Sequence, residues 1–547
     1  MSRKFLAPIC IAVFLSAGVL SAQTTAAVAT MPAATAPATA PSLLSGAAWQ
    51  YSIDDGKTFS GKPPVIPADQ TVKVQAKIEF DVKSADGIRA LELAHNFPTV
   101  QKHAFAINGQ EVKGPQAGMR YSTIPAIAPS VLKAGRNILA LDAVYKNVSK
   151  DPKKPAKDVT VALDVSLTPL ADKDLKVFNG PALGGFGEEF FTITCRTNMP
   201  ATVKVWANPV KRTDHNKDLL MPTEAASEDG LFHRLVVKRD GRAIGFVCIL
   251  TATTKNGGKS EVKWSCGVPP TSPQGWQDRE MVIVAMGDSR TFPEKWGQVA
   301  AAALKHKPDV VIFTGDLVAD GKDDATWDGE FFQPAAQLLR SAPLLPAFGN
   351  HETKAPILTE AFYTPSKDGR NPNFTTQLGP VQIIGVEGYE DWSAKSDNIK
   401  WLGEVLSASK APFVLFANHY PAWSSGSHGK LDKDGKLGEI AMRQAQEEIV
   451  PLLAKAGVQA YFCGHDHLYE RSDLPGGVTQ VTTGGAGAPL YGKAKDAEKQ
   501  NPHSKVFASK NHFCVIRIKG DTATMTVLSV DGEELDKVTW KARKQQP

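Results

Sequence analysis

The sequence predicts a multidomain protein in which N-terminal β-sandwiches are followed by an α/β domain. Its 547 residues are enough for three or four domains at roughly 150 residues each. As far as residue 268, short runs alternate apolar and polar residues, the pattern of half-buried strands. Beyond Met281, continuous apolar runs alternate with helical stretches, which is typical of strands buried on both faces of an α/β sheet.

The first 45 residues predict an export signal and a tether. Residues 1–22 combine a short basic start, an apolar stretch too short to span a bilayer and a run of small residues, as in a signal peptide. Residues 23–45 are rich in Ala, Thr and Pro and lack the apolar side chains of a core. We therefore expect a secreted or periplasmic protein without stable membrane insertion.

Two all-β domains are predicted between the tether and the α/β region. In residues 46–169, the run HAFAINGQEV carries an Asn-Gly hairpin signal, and LKAGRNILAL resembles the late strands of galactose-binding-like jelly rolls. That resemblance implies either contact with carbohydrate or shielding of one edge of the following domain. Residues 170–268 resemble a fibronectin type III-like domain, with FFTITCRTNMPATVKVWA and LVVKRDGRAIGFVCILTAT as strand pairs.

Composition and cysteine usage exclude several classes of protein. Apolar residues make up 42% of the chain and charged residues 22%, as in soluble globular proteins. A formal net charge of +5 is too small to indicate a nucleic-acid partner. The five cysteines beyond the leader are widely spaced, and an odd number cannot pair completely. We expect buried thiols with at most one disulfide among Cys195, Cys248 and Cys266.

Five apolar runs of the α/β region end in Asp, Asn or His. The run MVIVAM leads into GDSR, DVVIFT into GDLV, PLLPAF into GNHE, PFVLFA into NHYP, and VQAYFC into GHDH. Because the carboxyl ends of strands in an open α/β sheet face one crevice, side chains from these segments can converge. The ligand-type residues of the five segments are Asp288, Asp316, Asn350, His419, His465 and His467. Such mixed oxygen and imidazole donors suit two divalent ions.

A pair of such ions predicts hydrolysis of a phosphoester. Two cations about 3.5–4 Å apart can hold the attacking and leaving oxygens, and a water bound to both becomes hydroxide near neutral pH. We expect Asp316 to bridge them, and Gly464 to provide the bend that turns His465 and His467 inward. The expected partner is a small-molecule phosphoester.

The five motifs in this order, from about Arg279 to the C-terminus, resemble the calcineurin-like metallophosphoesterase superfamily. The nearest similarity is to purple acid phosphatases with an N-terminal fibronectin type III-like domain. It implies that residues 279–547 form an α/β four-layer β-sandwich. It also implies ligands Asp288, Asp316 and His467 for the first ion, and Asp316, Asn350, His419 and His465 for the second. The metals implied are Mn, Zn, Fe, Mg or Ca.

Two positions depart from the family pattern and leave the first ion one protein ligand short. Ala319 stands where the purple enzymes have the tyrosine that gives their colour. Arg290 stands where other members have a histidine, and a guanidinium is not an ordinary metal ligand. Arg290 either donates to a phosphate oxygen or neutralises nearby carboxylates. We therefore expect weaker occupancy of the first site than of the second.

The resemblance also implies roles for residues that are not ligands. His351 would lie beside the leaving oxygen, where it would donate a proton or stabilise developing charge, with Glu352 orienting it. His428 aligns with a substrate-side histidine, although a solvated loop histidine is an equal alternative. Asp466 is expected to fix the tautomer of a neighbouring ring. The run GGAGAP, from Gly484, is expected to reflect close backbone packing rather than a phosphate cradle.

These predictions favour an exported metal-dependent phosphatase that hydrolyses phosphomonoesters with a hydroxide held by two metal ions. Two alternatives stay open. A phosphodiesterase would use the same ions and differ in how surrounding loops treat the second ester group. A non-catalytic binding protein would have lost turnover with its missing ligand, although all six donor residues are retained.

Overall fold

The structure describes the chain from residue 40 onward, with five internal gaps. It is a computed structural model that describes residues 40–96, 100–149, 155–213, 220–277, 279–362 and 372–543. The predicted signal peptide and most of the predicted tether lie outside the described residues. None of the described helices is long and apolar enough to cross a membrane.

Ten of the described strands precede residue 171 and build three antiparallel sheets. They are β1 (Gln50–Ser52), β2 (Val65–Ile66), β3 (Thr71–Val82), β4 (Ala90–Asn96), β5 (Val100–Ile107), β6 (Gln110–Val112), β7 (Thr123–Ile127), β8 (Gly135–Lys146), β9 (Val159–Thr160) and β10 (Asp164–Leu170). The two larger sheets have the orders β1-β3-β8-β5-β6 and β10-β4-β7. Val74 of β3, Leu91 of β4 and Leu139 of β8 lie in one buried core, so these two sheets share it.

The next six strands are organised around one long strand. They are β11 (Val177–Phe186), β12 (Phe190–Arg212), β13 (Thr223–Ala226), β14 (Gly230–Lys238), β15 (Ala243–Thr253) and β16 (Lys259–Gly267). The first half of β12 pairs with β11 and β14, and the second half pairs with β13 and β15. The five cysteines beyond the leader are free and buried, which confirms the prediction of buried thiols.

Beyond residue 280, thirteen described strands form two mixed sheets. They are β17 (Met281–Met286), β18 (Val310–Phe313), β19 (Leu344–Pro346), β20 (Phe374–Leu378), β21 (Val381–Gly385), β22 (Phe413–Ala417), β23 (Ala460–Cys463), β24 (Tyr469–Asp473), β25 (Thr479–Thr483), β26 (Ser504–Ala508), β27 (His512–Lys519), β28 (Thr522–Ser529) and β29 (Glu534–Lys541). One sheet has the order β19-β18-β17-β27-β28-β29 and the other β20-β21-β22-β23-β25-β24-β26. The antiparallel pairing of β27 with β28 confirms the strand pair predicted near the C-terminus.

Helices flank these sheets, as the helical stretches between the apolar runs of the sequence predict. The described α-helices are α1 (Pro293–Leu304), α2 (Asp324–Thr326), α3 (Ala336–Ser341), α4 (Leu358–Ala361), α5 (Asp397–Ala408), α6 (Ile440–Gln444), α7 (Val450–Lys455) and α8 (Ala497–Gln500). One-turn π-helices span Trp327–Phe332 and Ala445–Ile449, and 3₁₀ turns span Pro129–Val131, Asp172–Asp174, Pro273–Trp276 and Pro475–Gly477. The hydroxyl of Ser396 caps α5 by accepting from the Ile399 N–H at 3.2 Å.

The α/β region is built in four layers. Ile283 of β17 and Phe462 of β23, one from each sheet, meet in a shared central core. On the outer face of the first sheet, Val284 packs in a core with Trp296 of α1. On the outer face of the second sheet, Val414 packs in another core that includes α5. Both faces of each sheet are therefore apolar, which explains the continuous apolar runs in the sequence.

Candidate metal centre

Four predicted ligands form one cluster at the carboxyl ends of β18, β19, β22 and β23. The Asn350 amide oxygen lies 3.1 Å from Nε2 of His419 and 3.1 Å from Nδ1 of His465. These two ring nitrogens lie 3.2 Å apart, and Oδ1 of Asp316 lies 3.3 Å from Nε2 of His419. The chain therefore brings four donor atoms together from segments up to about 150 residues apart.

Three predicted ligands form a second cluster next to the first. The ligand-type atoms of Asp288, Asp316 and His467 lie within 4.8 Å of one another, and all three residues are buried. Nε2 of His467 is 3.6 Å from Oδ1 of Asp288. Asp316 belongs to both clusters, with Oδ1 facing His419 and Oδ2 facing Arg290.

Backbone contacts fix which ring nitrogen of each histidine is free to bind an ion. Nδ1 of His419 donates to the Thr314 carbonyl at 2.8 Å, and Nδ1 of His467 donates to the Pro489 carbonyl at 2.8 Å. In both rings the Nε2 lone pair is left facing the clusters. His465 is oriented the other way. Its Nε2 lies 2.8 Å from a carboxylate oxygen of Glu439, and its Nδ1 faces Asn350 and His419.

Sequence reasoning missed Glu439, and it assigned the orienting role to a different residue. Asp466 accepts from the hydroxyls of Ser424 and Ser427 and from the His428 backbone N–H, so it braces a loop. The prediction that Asp466 fixes a ring tautomer is therefore wrong. Glu439 lies in KLGEIAMR, just before an α-helix, where no spacing rule marks it.

His428 is tied into the site through the same carboxylate. Its Nδ1 lies 2.6 Å from the other oxygen of Glu439, and its ring centroid is 3.9 Å from that of His465. The side chain is 31% exposed, so the alternative of a solvated loop histidine is wrong. Although burial opposes it, the pKa of His428 is raised because Glu439 and nearby carboxylates favour the imidazolium.

Glu352 supports the ligand segments from below instead of orienting His351. Its carboxylate accepts from the backbone N–H groups of Asp316, Leu317, Val318 and Gly349 at 2.8–3.2 Å. The His351 ring is held instead by the Ala319 carbonyl, 2.5 Å from Nδ1, and its Nε2 lies 3.7 Å from Asp316. The expected contact between Glu352 and the His351 ring is therefore wrong, and Glu352 links two ligand loops.

The bend predicted at Gly464 falls one residue later. His465 adopts a left-handed backbone with φ of 71°, as Asp288 and Asp316 do at 60° and 53°. Gly464 is needed for another reason, because a Cβ there would lie 2.1 Å from a carboxylate oxygen of Asp288. Backbone strain of this kind occurs at functional sites, where the surrounding structure holds it in place.

The GGAGAP segment crosses close to the clusters, as predicted. A Cβ on Gly484 would lie 2.4 Å from the Asp466 carbonyl oxygen, and one on Gly487 would lie 2.5 Å from the Ser289 carbonyl oxygen. This confirms close backbone packing as the reason for the glycines.

Arg290 lies against the cluster of Asp288, Asp316 and His467, the ligands expected for the first ion. Its Nε donates to Oδ2 of Asp316 at 3.3 Å, and a terminal guanidinium nitrogen is 3.3 Å from Nε2 of His467. Of the two roles expected for Arg290, neutralisation of a carboxylate is the one that these contacts match. The side chain is 16% exposed, so it reaches the site from a partly buried position.

Burial keeps two imidazoles of the site neutral, those of His419 and His467. Burial lowers the pKa of His419 to about 4, and burial together with Arg290 lowers the pKa of His467 to about 3. Although burial opposes it, the pKa of the Asp316 carboxyl is held below its usual value by the neighbouring side chains of His419, His351, His465 and Arg290. Burial and the charge of Asp316 raise the pKa of Asp288. Neutral imidazoles and carboxylates are the forms that bind divalent metals.

The cluster of Asp316, Asn350, His419 and His465, the ligands expected for the second ion, has donor atoms that fit a divalent cation. With Nδ1–H of His419 and Nε2–H of His465 committed elsewhere, the atoms that face one another are the lone pairs of two imidazoles and an amide oxygen. Acceptors brought to 3.1–3.2 Å repel one another unless a cation lies among them. Imidazole, amide and carboxylate donors are those of Zn, Mn and related ions.

The segment that contains the two clusters matches a known family. Residues 281–469 match the family model of the calcineurin-like phosphoesterase domain. Purple acid phosphatase 18 of Arabidopsis thaliana is 27% identical over 221 residues, which cover 36% of this chain and 48% of that protein. Human tartrate-resistant acid phosphatase type 5 is 30% identical over 143 residues, which cover 25% of this chain and 41% of that protein. The chain thus spans less than half the length of these relatives.

A solved structure resembles the chain over most of its length. The purple acid phosphatase PPD1 from seeds of yellow lupin (Lupinus luteus) has a TM-score of 0.58 at 15% identity, covering 91% of this chain and 96% of that one. At this identity the likeness concerns the fold alone. The predicted similarity to calcineurin-like metallophosphoesterases and purple acid phosphatases is confirmed. Residues 281–469 of this multidomain chain are a calcineurin-like phosphoesterase domain.

Proposed function

We propose that this chain is an exported metal-dependent phosphatase that hydrolyses small-molecule phosphomonoesters at a dinuclear site. The observation that carries the proposal is the convergence of lone pairs from Asn350, His419 and His465 next to Asp316. When bound, two divalent ions supply Lewis-acid activation of the phosphoryl group and of an attacking water. The ligands proposed are Asp288, Asp316 and His467 for one ion, and Asp316, Asn350, His419 and His465 for the other.

The other polar groups of the site have complementary roles in this proposal. The His351 ring is 27% exposed and is aimed by the Ala319 carbonyl, which suits a group that delivers a proton to the leaving oxygen. His428, held by Glu439, favours its protonated form and would bind a phosphoryl oxygen. Both side chains are partly exposed, whereas the proposed ligands other than Asn350 are buried.

Turnover after reconstitution tests the proposal. The protein is stripped with a chelator, reloaded separately with Mn²⁺, Zn²⁺, Fe²⁺, Mg²⁺ or Ca²⁺, and assayed with 4-nitrophenyl phosphate and bis(4-nitrophenyl) phosphate. We expect faster hydrolysis of the monoester, loss of activity in Asp316→Asn, and retention in the control Asp397→Asn, whose side chain is 99% exposed. Faster turnover of the diester would indicate a phosphodiesterase. Bound metal without hydrolysis of either ester would indicate a binding protein.

Export and domain organisation complete the proposal. We propose cleavage after residue 22, a tether to residue 45, a jelly-roll-like domain over 46–169, a fibronectin type III-like domain over 170–268 and the catalytic domain over 279–547. The basic start and apolar stretch of the leader support export. Cell fractionation and N-terminal sequencing of the mature protein test it, and an uncleaved chain in the cytoplasm would contradict it.

A further inference from the structure

Arg290 contacts the atoms that an ion at the first metal position would need. Its Nε is 3.3 Å from Oδ2 of Asp316, and a terminal nitrogen is 3.3 Å from Nε2 of His467. A bound Zn²⁺ would lie about 2.0–2.2 Å from the same oxygen and nitrogen. The backbone N–H of Arg290 donates to the Asp316 carbonyl at 3.4 Å, and Nη1 of the guanidinium donates to the Thr291 hydroxyl at 3.3 Å, so both the main chain and the side chain of Arg290 are held there.

The His467 ring cannot serve Arg290 and an ion together. Its Nδ1–H donates to the Pro489 carbonyl, so Nε2 has one in-plane lone pair. That lone pair either accepts a hydrogen bond from Arg290 or coordinates a metal. Asp316 is less restricted, because its Oδ1 faces His419 and is free of the guanidinium.

Charge reinforces this geometric exclusion. An arginine side chain does not deprotonate in proteins, so changing the pH does not remove its charge. A divalent ion beside the guanidinium would meet a like charge in a partly buried setting, where repulsion is stronger than in water. The groups that could bind an ion at this position are Asp288, Asp316 and His467, and Arg290 contacts two of them, Asp316 and His467.

The neighbouring cluster has the opposite character. Asn350, His419 and His465 turn lone pairs toward one another, and the described contacts of these atoms include no arginine or lysine. The two clusters therefore differ in what they lack. The cluster around Asn350 needs a bound cation, whereas the cluster around His467 already has the positive charge of the Arg290 guanidinium beside it.

We propose that Arg290 and a metal ion exclude each other at the first position, so that the protein binds one divalent ion tightly and uses the guanidinium as its second positive charge. This inference rests on the metal site of the proposed function. It revises the dinuclear form of that site, because Arg290 takes the place of the first ion and tight binding is limited to one ion per chain.

Metal stoichiometry tests the proposal without relying on activity. Full-length protein is stripped with EDTA and titrated with Zn²⁺ by calorimetry, and bound zinc is counted by elemental analysis after gel filtration. We expect one tight equivalent in the wild type and two in Arg290→His, which removes the charge and adds a ligand. Arg290→Gln should bind a second Zn²⁺ more weakly than Arg290→His but at least about tenfold more tightly than the wild type. Arg517→Gln, with a 42% exposed arginine, is the control and should bind one.

The outcomes separate this inference from the proposed function. Two ions of similar affinity in the wild type would overturn the role of Arg290 whatever the activity. So would one tight ion in every variant, provided that unchanged melting temperatures show the variants to be folded. One ion in the wild type and two in Arg290→His would support it, even if neither protein hydrolysed a phosphoester. Hydrolysis with two tight ions would leave the proposed function intact while refuting the inference.

Discussion

Replacing Glu439 with glutamine should weaken metal binding through the ring of His465. One carboxylate serves two imidazoles, with Oε1 2.6 Å from His428 and Oε2 2.8 Å from His465. A glutamine has one acceptor oxygen and can satisfy only one of them. If its NH₂ faces His465, the ring proton moves to Nδ1, and the lone pair that faces Asn350 and His419 is lost.

The size of the effect follows from this loss of one orienting contact. Groups that orient a metal-bound histidine are typically worth 10–100-fold in metal affinity, which is about 1.4–2.7 kcal/mol. We expect the Zn²⁺ affinity of Glu439→Gln to fall by that factor in a competition titration against a chromogenic chelator. The matched control is Glu447→Gln, because Glu447 is an exposed residue of the following turn.

Two results would refute the reasoning about Glu439. The first is an affinity in Glu439→Gln equal to that of the control, since the tautomer of His465 would then not depend on the carboxylate. The second is an equal loss in His428→Ala with Glu439 intact, since the effect would then arise from packing of the three side chains. Glu439→Asp, which keeps the charge, should recover part of the affinity.

Three further predictions address the proton donor, the close backbone approach and the buried acid. His351→Ala should lower kcat about 10²–10⁴-fold on an alkyl phosphate. The loss should be much smaller on 4-nitrophenyl phosphate, because its leaving group needs no proton, and equal losses on both substrates would contradict the role of proton donor. Gly464→Ala should abolish tight Zn²⁺ binding, because relieving the clash of its Cβ with Asp288 would displace the adjacent proposed ligand His465. Gly403→Ala, with open space around its Cβ, should bind normally and gain about 0.5–1 kcal/mol of helix stability. Burial raises the pKa of Glu352 to about 8, so the folded metal-free protein retains a proton that the unfolded chain releases. Its melting temperature should therefore fall as pH rises toward 8. The same dependence of melting temperature on pH in Glu352→Gln would contradict this.

The sequence was informative about the proposed ligands because their positions follow from strand ends. An apolar run that stops at Asp, Asn or His identifies both a buried strand and the polar residue beyond it, as at Asp288 and Asn350. The partners that orient these residues leave no such pattern. The Thr314 and Pro489 carbonyls are backbone atoms, which every residue has, and their roles depend on the path of the chain.

The misassigned residues show where sequence spacing stops being informative. Asp466 lies between two proposed ligands in sequence, yet successive side chains of that turn lie on different sides, and its carboxylate faces the serines of another loop. Glu439 reaches His465 across 26 residues of sequence. The direction of a side chain within an irregular turn is set by φ and ψ, as the left-handed His465 illustrates, and residue identity does not specify it.

The loops that carry the proposed ligands are hydrogen-bonded to one another, which makes the candidate metal centre a single cooperative unit. The backbone N–H of His465 donates to the Asp288 carboxylate at 3.0 Å, and the N–H of Asp288 donates to the Gly315 carbonyl at 2.9 Å. The N–H of Gly464 in turn donates to the His419 carbonyl at 2.9 Å. A change in one loop therefore displaces ligands on the others, and residues in such networks couple by about 0.5–3 kcal/mol. Loss of one donor should consequently weaken binding by more than its own contact, because the remaining donors lose their alignment as well.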